Sequence, residues 1–235
     1  MNNKSLLNID FLAHLESLEK YNQVMEDFLI NEYFEHRKIW EKDKTLTLKS
    51  LDEKLPLMNN LALTLNFYPN SFRNSFLVQI FSFFEKKLKE ICLEHYKITE
   101  TVFSINDLKG NSDIEKAKKY LTKTCSIKFS ELNPEWNFMN DIRKIRNIIV
   151  HSQGEINQLH NDWKTIWNFI NNNKSLIGFS CFSEYLDKKL FDKESIKEDF
   201  LEIEIQNENL NYKIINTVKY LLVEITSKVN KKIIC

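Results

Sequence analysis

Residues 71–96, SFRNSFLVQIFSFFEKKLKEICLEHY, decide the fold of this chain. Apolar side chains recur along this segment at steps of three and four, which is the spacing of one face of an α-helix. The stripe consists of Phe72, Phe76, Ile80, Phe84, Leu88 and Ile91, and it is widened by Leu77, Phe81 and Phe83. A stripe this wide predicts a central, mostly buried helix over about 71–96, with Ser71 as its N-cap.

The composition favours long helices over folds that are rich in turns. The 235 residues include only 3 Gly and 3 Pro, whereas average usage would give roughly 16 and 12. Barrels, sandwiches and propellers need many tight turns, in which glycine supplies positive φ. Gly110, Gly154 and Gly178 are also too far apart to form a Rossmann or P-loop phosphate site. We therefore predict a mainly all-α bundle.

Other segments carry helical signals of their own. Residues 10–43 have apolar side chains at steps of three and four, which predicts an amphipathic helix. Residues 44–70 are less regular and contain Pro56 and Pro69, so we expect a linker that could hold a short helix. The same helical spacing predicts two more helices, over about 163–170 and 214–229.

Capping residues mark two helix starts. The run SDIE at 112–115 has the form of a capping box and predicts a short helix to about Thr124. The run NPE at 133–135 combines an asparagine cap, a proline at the first helical position and an acid placed against the helix dipole. The second helix should continue to about His151, with Gly154 just past its end as a C-cap.

One stretch departs from the helical pattern. Residues 201–205, LEIEI, alternate strictly between apolar and charged side chains, which predicts a half-buried strand. Residues 176–182 are the expected antiparallel partner, which gives the bundle a small two-stranded β excursion near 176–206. We predict one domain over 1–235, with an N-terminal helical extension at 1–60, core helices at 70–173, a β/loop insertion at 174–206 and a C-terminal helix at 207–235.

The balance of charge and the spacing of the cysteines bear on which classes of protein this chain could belong to. The 33 Lys+Arg balance 33 Asp+Glu, so the overall basicity of many nucleic-acid-binding domains is missing, although a local positive patch would suffice for RNA. The four cysteines are scattered without a CxxC, and the sequence shows neither a signal peptide nor an apolar stretch that could span a bilayer. We expect a cytoplasmic protein with free thiols and no membrane contact.

Arginine is scarce, which draws attention to the few that remain. Four of the 33 cations are arginine, namely Arg37, Arg73, Arg143 and Arg146. Arginine offers a planar, bidentate donor fork that suits phosphate, and lysine does not. The arginines should therefore have roles that lysine performs poorly, and two of them lie three residues apart.

Those two arginines belong to the segment 141–154, DIRKIRNIIVHSQG. Arg146 and His151 are five residues apart, so on a continuous helix they point about 140° away from each other. They converge within one chain only if the helix loosens near His151, which Gly154 would permit. The segment resembles the motif of the HEPN superfamily, which is an arginine, four to six residues, and then a histidine. Asn147 also fits, because a polar residue often follows the arginine in that family.

The resemblance implies a fold, an activity and a set of site residues. A HEPN-like helical bundle would cleave RNA without a metal or other cofactor, through attack of the 2′-OH on the adjacent phosphate. His151 would move protons, and Arg146 would stabilise the phosphorane. Two motifs would meet across a homodimer to form a composite active site. Supporting or RNA-binding roles would fall to Asn147, Arg143, Lys144 and Glu85. The setting implied is a bacterial toxin–antitoxin or phage-defence system, with an antitoxin or sensor protein as a further partner.

Two other functions remain open from the sequence. A HEPN-like bundle could bind a partner without cutting RNA. A metal-dependent nuclease could use Glu202 and Glu204, but such sites place a lysine two residues after the second acid, where this chain has Gln206. Trp136, Trp163 and Trp167 are expected to be core or dimer-interface aromatics and not platforms for stacking bases.

Overall fold

The computed structural model describes residues 10–42, 49–110, 112–180 and 201–234. Over those ranges the chain is mainly α-helical with a small sheet, as the sequence predicts. The helices are α1 (Leu12–Lys42), α2 (Leu51–Ala62), α3 (Tyr68–Thr99), α4 (Asp113–Cys125), α5 (Glu135–Ser152), α6 (Trp163–Asn172) and α7 (Asn209–Ile234). The strands are β1 (Glu155–Ile156), β2 (Gly178–Ser180) and β3 (Leu201–Glu204).

The predicted central helix is present and begins earlier than expected. A π-helical turn, Leu63–Phe67, joins α2 directly to α3, so most of the described part of the expected linker is helical. Ser71 is therefore not an N-cap: it lies inside α3, and its carbonyl accepts a hydrogen bond from the Ser75 hydroxyl at 2.8 Å. Pro69 has no N–H to donate to the preceding turn, and it follows directly on the π-helical turn, where the regular α-helical hydrogen-bond pattern is already interrupted.

Helix α3 organises the core, since α7, α4, α5 and α1 all pack against it. Its apolar stripe is almost completely buried, with Ile80, Phe84 and Leu88 each at 0% exposure. Phe11, Leu15 and Leu18 at the start of the chain's first helix belong to the same continuous core. The predicted amphipathic helix over 10–43 thus buries its apolar face on the main body of the protein.

The small sheet has three antiparallel strands in the order β1-β3-β2, one strand more than predicted. The expected hairpin is present, with Phe179 opposite Ile203. The additional strand β1 is only two residues long and pairs Glu155 with Glu202. It follows α5 almost immediately, so the sheet is attached to the C-terminal end of the motif helix. Residues 181–182 of the predicted strand lie outside the described residues.

A buried ion pair fastens the end of β3 to the helical body. Arg73 donates from Nε and Nη2 to the two carboxylate oxygens of Glu26 at 2.8 and 2.7 Å. Its Nη1 donates to the carbonyls of Ile205 and Gln206 at 3.1 and 2.9 Å. The Arg73 and Glu26 side chains are only 12% and 4% exposed. One arginine therefore joins α1, α3 and the strand exit through its planar fork.

The sequence also predicts free thiols and no segment that could span a bilayer. Cys92 and Cys125 are free and buried, as expected for small apolar side chains, while Cys181 and Cys235 lie outside the described residues. Burial raises the pKa of the Cys92 and Cys125 thiols, which makes both inert. Across the described ranges, none of the helices combines the length and the apolar character needed to cross a bilayer.

Candidate functional site

The motif helix α5 stays regular to Ser152. It begins at Glu135, with Pro134 in the cap position after a cis Asn133–Pro134 peptide bond. Gln153 is left-handed with φ 53°, and Gly154 follows with φ 93°. The Ile148 carbonyl accepts the N–H groups of both residues, which closes the helix after the histidine. The loosening near His151 that convergence within one chain would require is therefore absent.

Because the helix is continuous, Arg146 and His151 point about 140° apart on it. The helix surface between them carries Arg143, Asn147 and Val150. Asn147 is exposed, and Val150 is 45% exposed. The motif residues thus flank a partly apolar surface that no described element covers completely.

Arg146 retains donors that the protein does not use. Its Nη1 donates to the Asn147 side-chain oxygen at 3.1 Å. Its Nε is buried and has no hydrogen-bond partner. Within the described ranges, no carboxylate lies within 4 Å of its guanidinium. The side chain is therefore held by its neighbour while part of its donor fork remains available to an anion.

Glu85 lies on α3 in the electrostatic field of the motif helix. Burial raises the pKa of its carboxyl group, the positive charge of Arg146 opposes that rise, and Asp113 adds to it. Arg143 also acts on it, more weakly than Arg146. An acid in this position would repel a phosphate, which disfavours direct contact between Glu85 and RNA.

Arg143 and Lys144, expected to bind the RNA backbone, both have protein partners. Arg143 Nη1 donates to Glu115 Oε1 at 3.1 Å and to Ser112 Oγ at 3.3 Å. Lys144 Nζ lies 3.2 Å from Asp162 Oδ1. The first interaction ties α5 to the start of α4, and the second ties it to the residue before α6. The sequence marked Ser112 and Glu115 only as capping residues, and the cap itself is confirmed, since Ser112 Oγ accepts the Glu115 N–H at 3.3 Å.

His151 is exposed at the end of the motif helix. Its imidazole makes no hydrogen bond to the part of the chain that the structure describes. Lys144, Asn147 and His151 stand at i, i+3 and i+7, so they form one solvent-facing stripe. The histidine is therefore accessible to a ligand approaching along α5.

Carboxylates lie on the outward face of the nearby sheet. Glu202 is opposite Glu155, and the two residues share a side of the sheet with Glu204. Burial raises the pKa of Glu202, and Glu204 and Glu155 raise it further by repulsion. Nevertheless, in the described ranges no three His, Cys, Asp or Glu residues are grouped closely enough to hold a metal ion. The geometry thus gives no support to a metal site built on Glu202 and Glu204.

A cavity in the described part of the chain lies away from the motif residues. It has a volume of about 620 Å³ and opens between the first half of α5, α6 and α7. Phe138 and Phe169 contribute its apolar wall, and Asp141 and Lys213 contribute charge. Neither Arg146 nor His151 lines it. The candidate site is consequently an exposed surface along α5 and not an enclosed pocket.

No family model, curated protein or solved structure matches this chain. The resemblance to the HEPN superfamily therefore depends on the residues of the motif and on its helical setting.

Proposed function

We propose that this protein is a HEPN-type endoribonuclease that cuts RNA without a metal, leaving 2′,3′-cyclic phosphate and 5′-OH ends. The observation that carries the proposal is the state of Arg146. Its guanidinium is positioned by Asn147, is only partly buried, and has no carboxylate partner among the described residues. Such a group is suited to an anion that arrives from outside the chain.

The chemistry uses three groups on the substrate. The 2′-oxygen attacks the adjacent phosphorus, the bond from phosphorus to the 5′-oxygen breaks, and the 2′-proton is passed on while the leaving 5′-oxygen gains a proton. His151 is the side chain whose usual pKa lies near neutral pH, which suits it to these transfers. Arg146 stabilises the charge that accumulates on the non-bridging oxygens. DNA lacks the 2′-hydroxyl and should not be cut.

Arg146 and His151 point apart within one chain, but residues from two protomers would meet in a homodimer. A twofold axis near Asn147 and Val150 would bring the Arg146 of one protomer towards the His151 of its partner. The exposed apolar side chain of Val150 favours burial of this surface. The composite site would contain two arginines and two histidines, which supplies both a base and an acid.

In this proposal Glu85 supports the site through its charge near Arg146, and Arg143 and Lys144 hold α5 in place. The pairs of Arg143 with Glu115 and of Lys144 with Asp162 leave less positive charge for the RNA backbone than unpaired side chains would. A cytoplasmic toxin or defence effector, controlled by an antitoxin or sensor protein, is the setting that the motif resemblance suggests.

Expression of the wild-type chain and of Arg146→Ala and His151→Ala tests the proposal. The wild-type protein should arrest growth and fragment RNA in EDTA. Each variant should lose at least about 100-fold in cleavage rate, the scale of a lost acid–base group or phosphate donor. Arg37→Ala and His36→Ala on α1 are matched controls that should remain active. The proposal fails if both motif variants cut RNA as fast as the wild type.

A mixing experiment tests the composite site. Arg146→Ala and His151→Ala protomers should each be inactive alone. A heterodimer of the two retains one intact pair of motif residues if the site spans the interface, so coexpression should recover part of the activity. An inactive mixture of confirmed heterodimers would contradict the composite site. Stable RNA binding without cleavage by the wild type would instead favour the non-catalytic binding module.

A further inference from the structure

The cavity between the first half of α5, α6 and α7 has an apolar wall made of two aromatic rings. Phe138 of α5 and Phe169 of α6 have ring centroids 5.7 Å apart and planes inclined by 39°. Phe169 is buried, and Phe138 is partly buried against the same core. The cavity volume of about 620 Å³ lies in the range of sites for small organic molecules. The wall therefore offers such a molecule an apolar surface.

A carboxylate without a protein partner faces the same cavity. Asp141 lines it one turn after Phe138 on α5, so the two side chains are neighbours on the helix surface. Among the described residues, none forms an ion pair or a hydrogen bond with the Asp141 carboxylate. Burial raises the pKa of this carboxyl group, and the charge of Lys144 opposes that rise, although the Lys144 ammonium is itself paired with Asp162. Asp141 is thus an acceptor that suits a cationic N–H group of a ligand.

Lys213 of α7 brings a positive charge to the same aromatic wall. Its Nζ lies 4.8 Å from the centroid of the Phe138 ring and donates to Asn173 Oδ1 at 3.1 Å. The Asn173 side-chain nitrogen donates to the Phe169 carbonyl at 2.8 Å, which holds the amide oxygen towards Lys213. An ammonium group has three donors, so two remain for an anion. Lys213 and Asp141 form no ion pair with each other, and both charges are therefore available to a third molecule.

The charges of the lining determine which molecule fits. Glu135 and Asp141 supply two carboxylates, and Lys164 and Lys213 supply two ammonium groups, so the lining carries no net charge. An amine without a carboxylate would add a positive charge near Lys213, and a carboxylate without an amine would add a negative charge near Asp141. We propose that the cavity binds a free α-amino acid with an aromatic side chain, with its ammonium group at Asp141, its carboxylate at Lys213 and its ring on the apolar wall.

Calorimetric titration of the full chain with L-phenylalanine and three truncated analogues tests the proposal. 2-Phenylethylamine lacks the carboxylate, 3-phenylpropionate lacks the amino group, and L-alanine lacks the ring. L-Phenylalanine, with about a dozen non-hydrogen atoms, should bind with a Kd of about 0.05–1 mM. L-Alanine should bind at least about 10-fold more weakly, because it buries no ring. The other two analogues should each bind more weakly than L-phenylalanine, since each leaves one charge of the cavity unpaired.

Two substitutions match the two charged groups of the ligand. Asp141→Asn should weaken L-phenylalanine and 2-phenylethylamine by about 10- to 100-fold, the scale of one charge-assisted hydrogen bond, and should not weaken 3-phenylpropionate. Lys213→Met should weaken L-phenylalanine and 3-phenylpropionate by about 3- to 10-fold, less because this ammonium is exposed, and should not weaken 2-phenylethylamine. The ligand that each variant still binds shows that the variant is folded. Asp27→Asn and Lys219→Met change exposed residues outside the cavity and should have no effect.

The result is independent of the proposed nuclease because neither Arg146 nor His151 lines the cavity. His151→Ala protein should bind L-phenylalanine as the wild type does, whether or not the wild type cuts RNA. The absence of saturable binding at concentrations well above the expected Kd would overturn the proposal. Binding that Asp141→Asn and Lys213→Met both leave unchanged would place the amino acid elsewhere and would also overturn it. Tighter binding of guanosine than of L-phenylalanine would assign the cavity to a nucleobase and overturn the amino acid.

Discussion

The clearest quantitative prediction concerns Arg73, because lysine cannot reproduce its contacts. Arg73 makes four hydrogen bonds, two to the carboxylate of Glu26 and two to the carbonyls of Ile205 and Gln206. Arg73→Met leaves the buried Glu26 carboxylate without its partner and should cost about 3–5 kcal/mol of unfolding free energy. For a chain of this size that corresponds to a fall in Tm of roughly 6–20 °C.

Arg73→Lys keeps the charge but can satisfy only part of this arrangement. We expect a loss of about 2–3 kcal/mol, since charge-assisted hydrogen bonds contribute about 1.5–3 kcal/mol each and a lysine replaces some of them. Urea unfolding followed by circular dichroism measures both variants. The double variant Glu26→Leu/Arg73→Met should be more stable than Arg73→Met alone, because no unpaired charge remains buried. Arg37→Lys, in an exposed pair with Glu41, should leave the urea midpoint unchanged. An Arg73→Lys protein as stable as the wild type would refute the reasoning.

Three more predictions concern the site and its surroundings. Burial raises the pKa of the Glu85 carboxyl group above the ordinary value of 4.5. Its contribution to the stability of the folded protein is therefore full below pH 4.5 and is lost as the pH rises through the raised pKa. The Tm of Glu85→Gln minus that of the wild type should consequently be larger at about pH 7 than at about pH 4. Glu85→Gln should keep RNA cleavage within a few-fold of wild type, since this carboxyl group makes no ion pair with Arg146 and moves no proton, and abolished cleavage would contradict that role. Glu202→Gln should show the same direction of pH dependence in thermal melts, with repulsion from the neighbouring acids relieved as well. Gly154→Ala forces a side chain into φ 93° and should cost about 1–3 kcal/mol in urea unfolding, while an unchanged midpoint would contradict the strain.

Long helices could be predicted from the sequence because their apolar spacing is repeated over many turns. Helix α1, Leu12–Lys42, matches the expected segment of 10–43 within two residues. The start of α3 differs from the prediction because Pro56 and Pro69 are residues typical of a linker, whereas here one lies inside α2 and the other in the first turn of α3. Strand β1 has only two residues, which is too short for an alternating pattern to be recognised.

The candidate site depends on contacts that no local pattern contains. Arginine scarcity predicts roles that lysine performs poorly. Arg73 uses its planar fork on a buried carboxylate 47 residues away and not on phosphate, whereas Arg37 only makes an exposed pair with Glu41. Arg143 likewise reaches Glu115 on another helix. Arg146 has no carboxylate partner among the described residues. This difference from Arg73 and Arg143 depends on how helices that are distant in the sequence pack together.

The central claim is that Arg146 and His151 cut RNA by using the substrate's own 2′-hydroxyl. The most direct measurement incubates the wild-type protein in EDTA with a single-stranded RNA and with the same strand carrying 2′-deoxy nucleotides at its cleavage sites, followed by analysis of the product ends. We predict 2′,3′-cyclic phosphate and 5′-OH ends from the RNA, no cleavage at the 2′-deoxy positions, and no products from His151→Ala or Arg146→Ala protein. Cleavage at the 2′-deoxy positions, or the same products from either variant at the wild-type rate, would contradict the account.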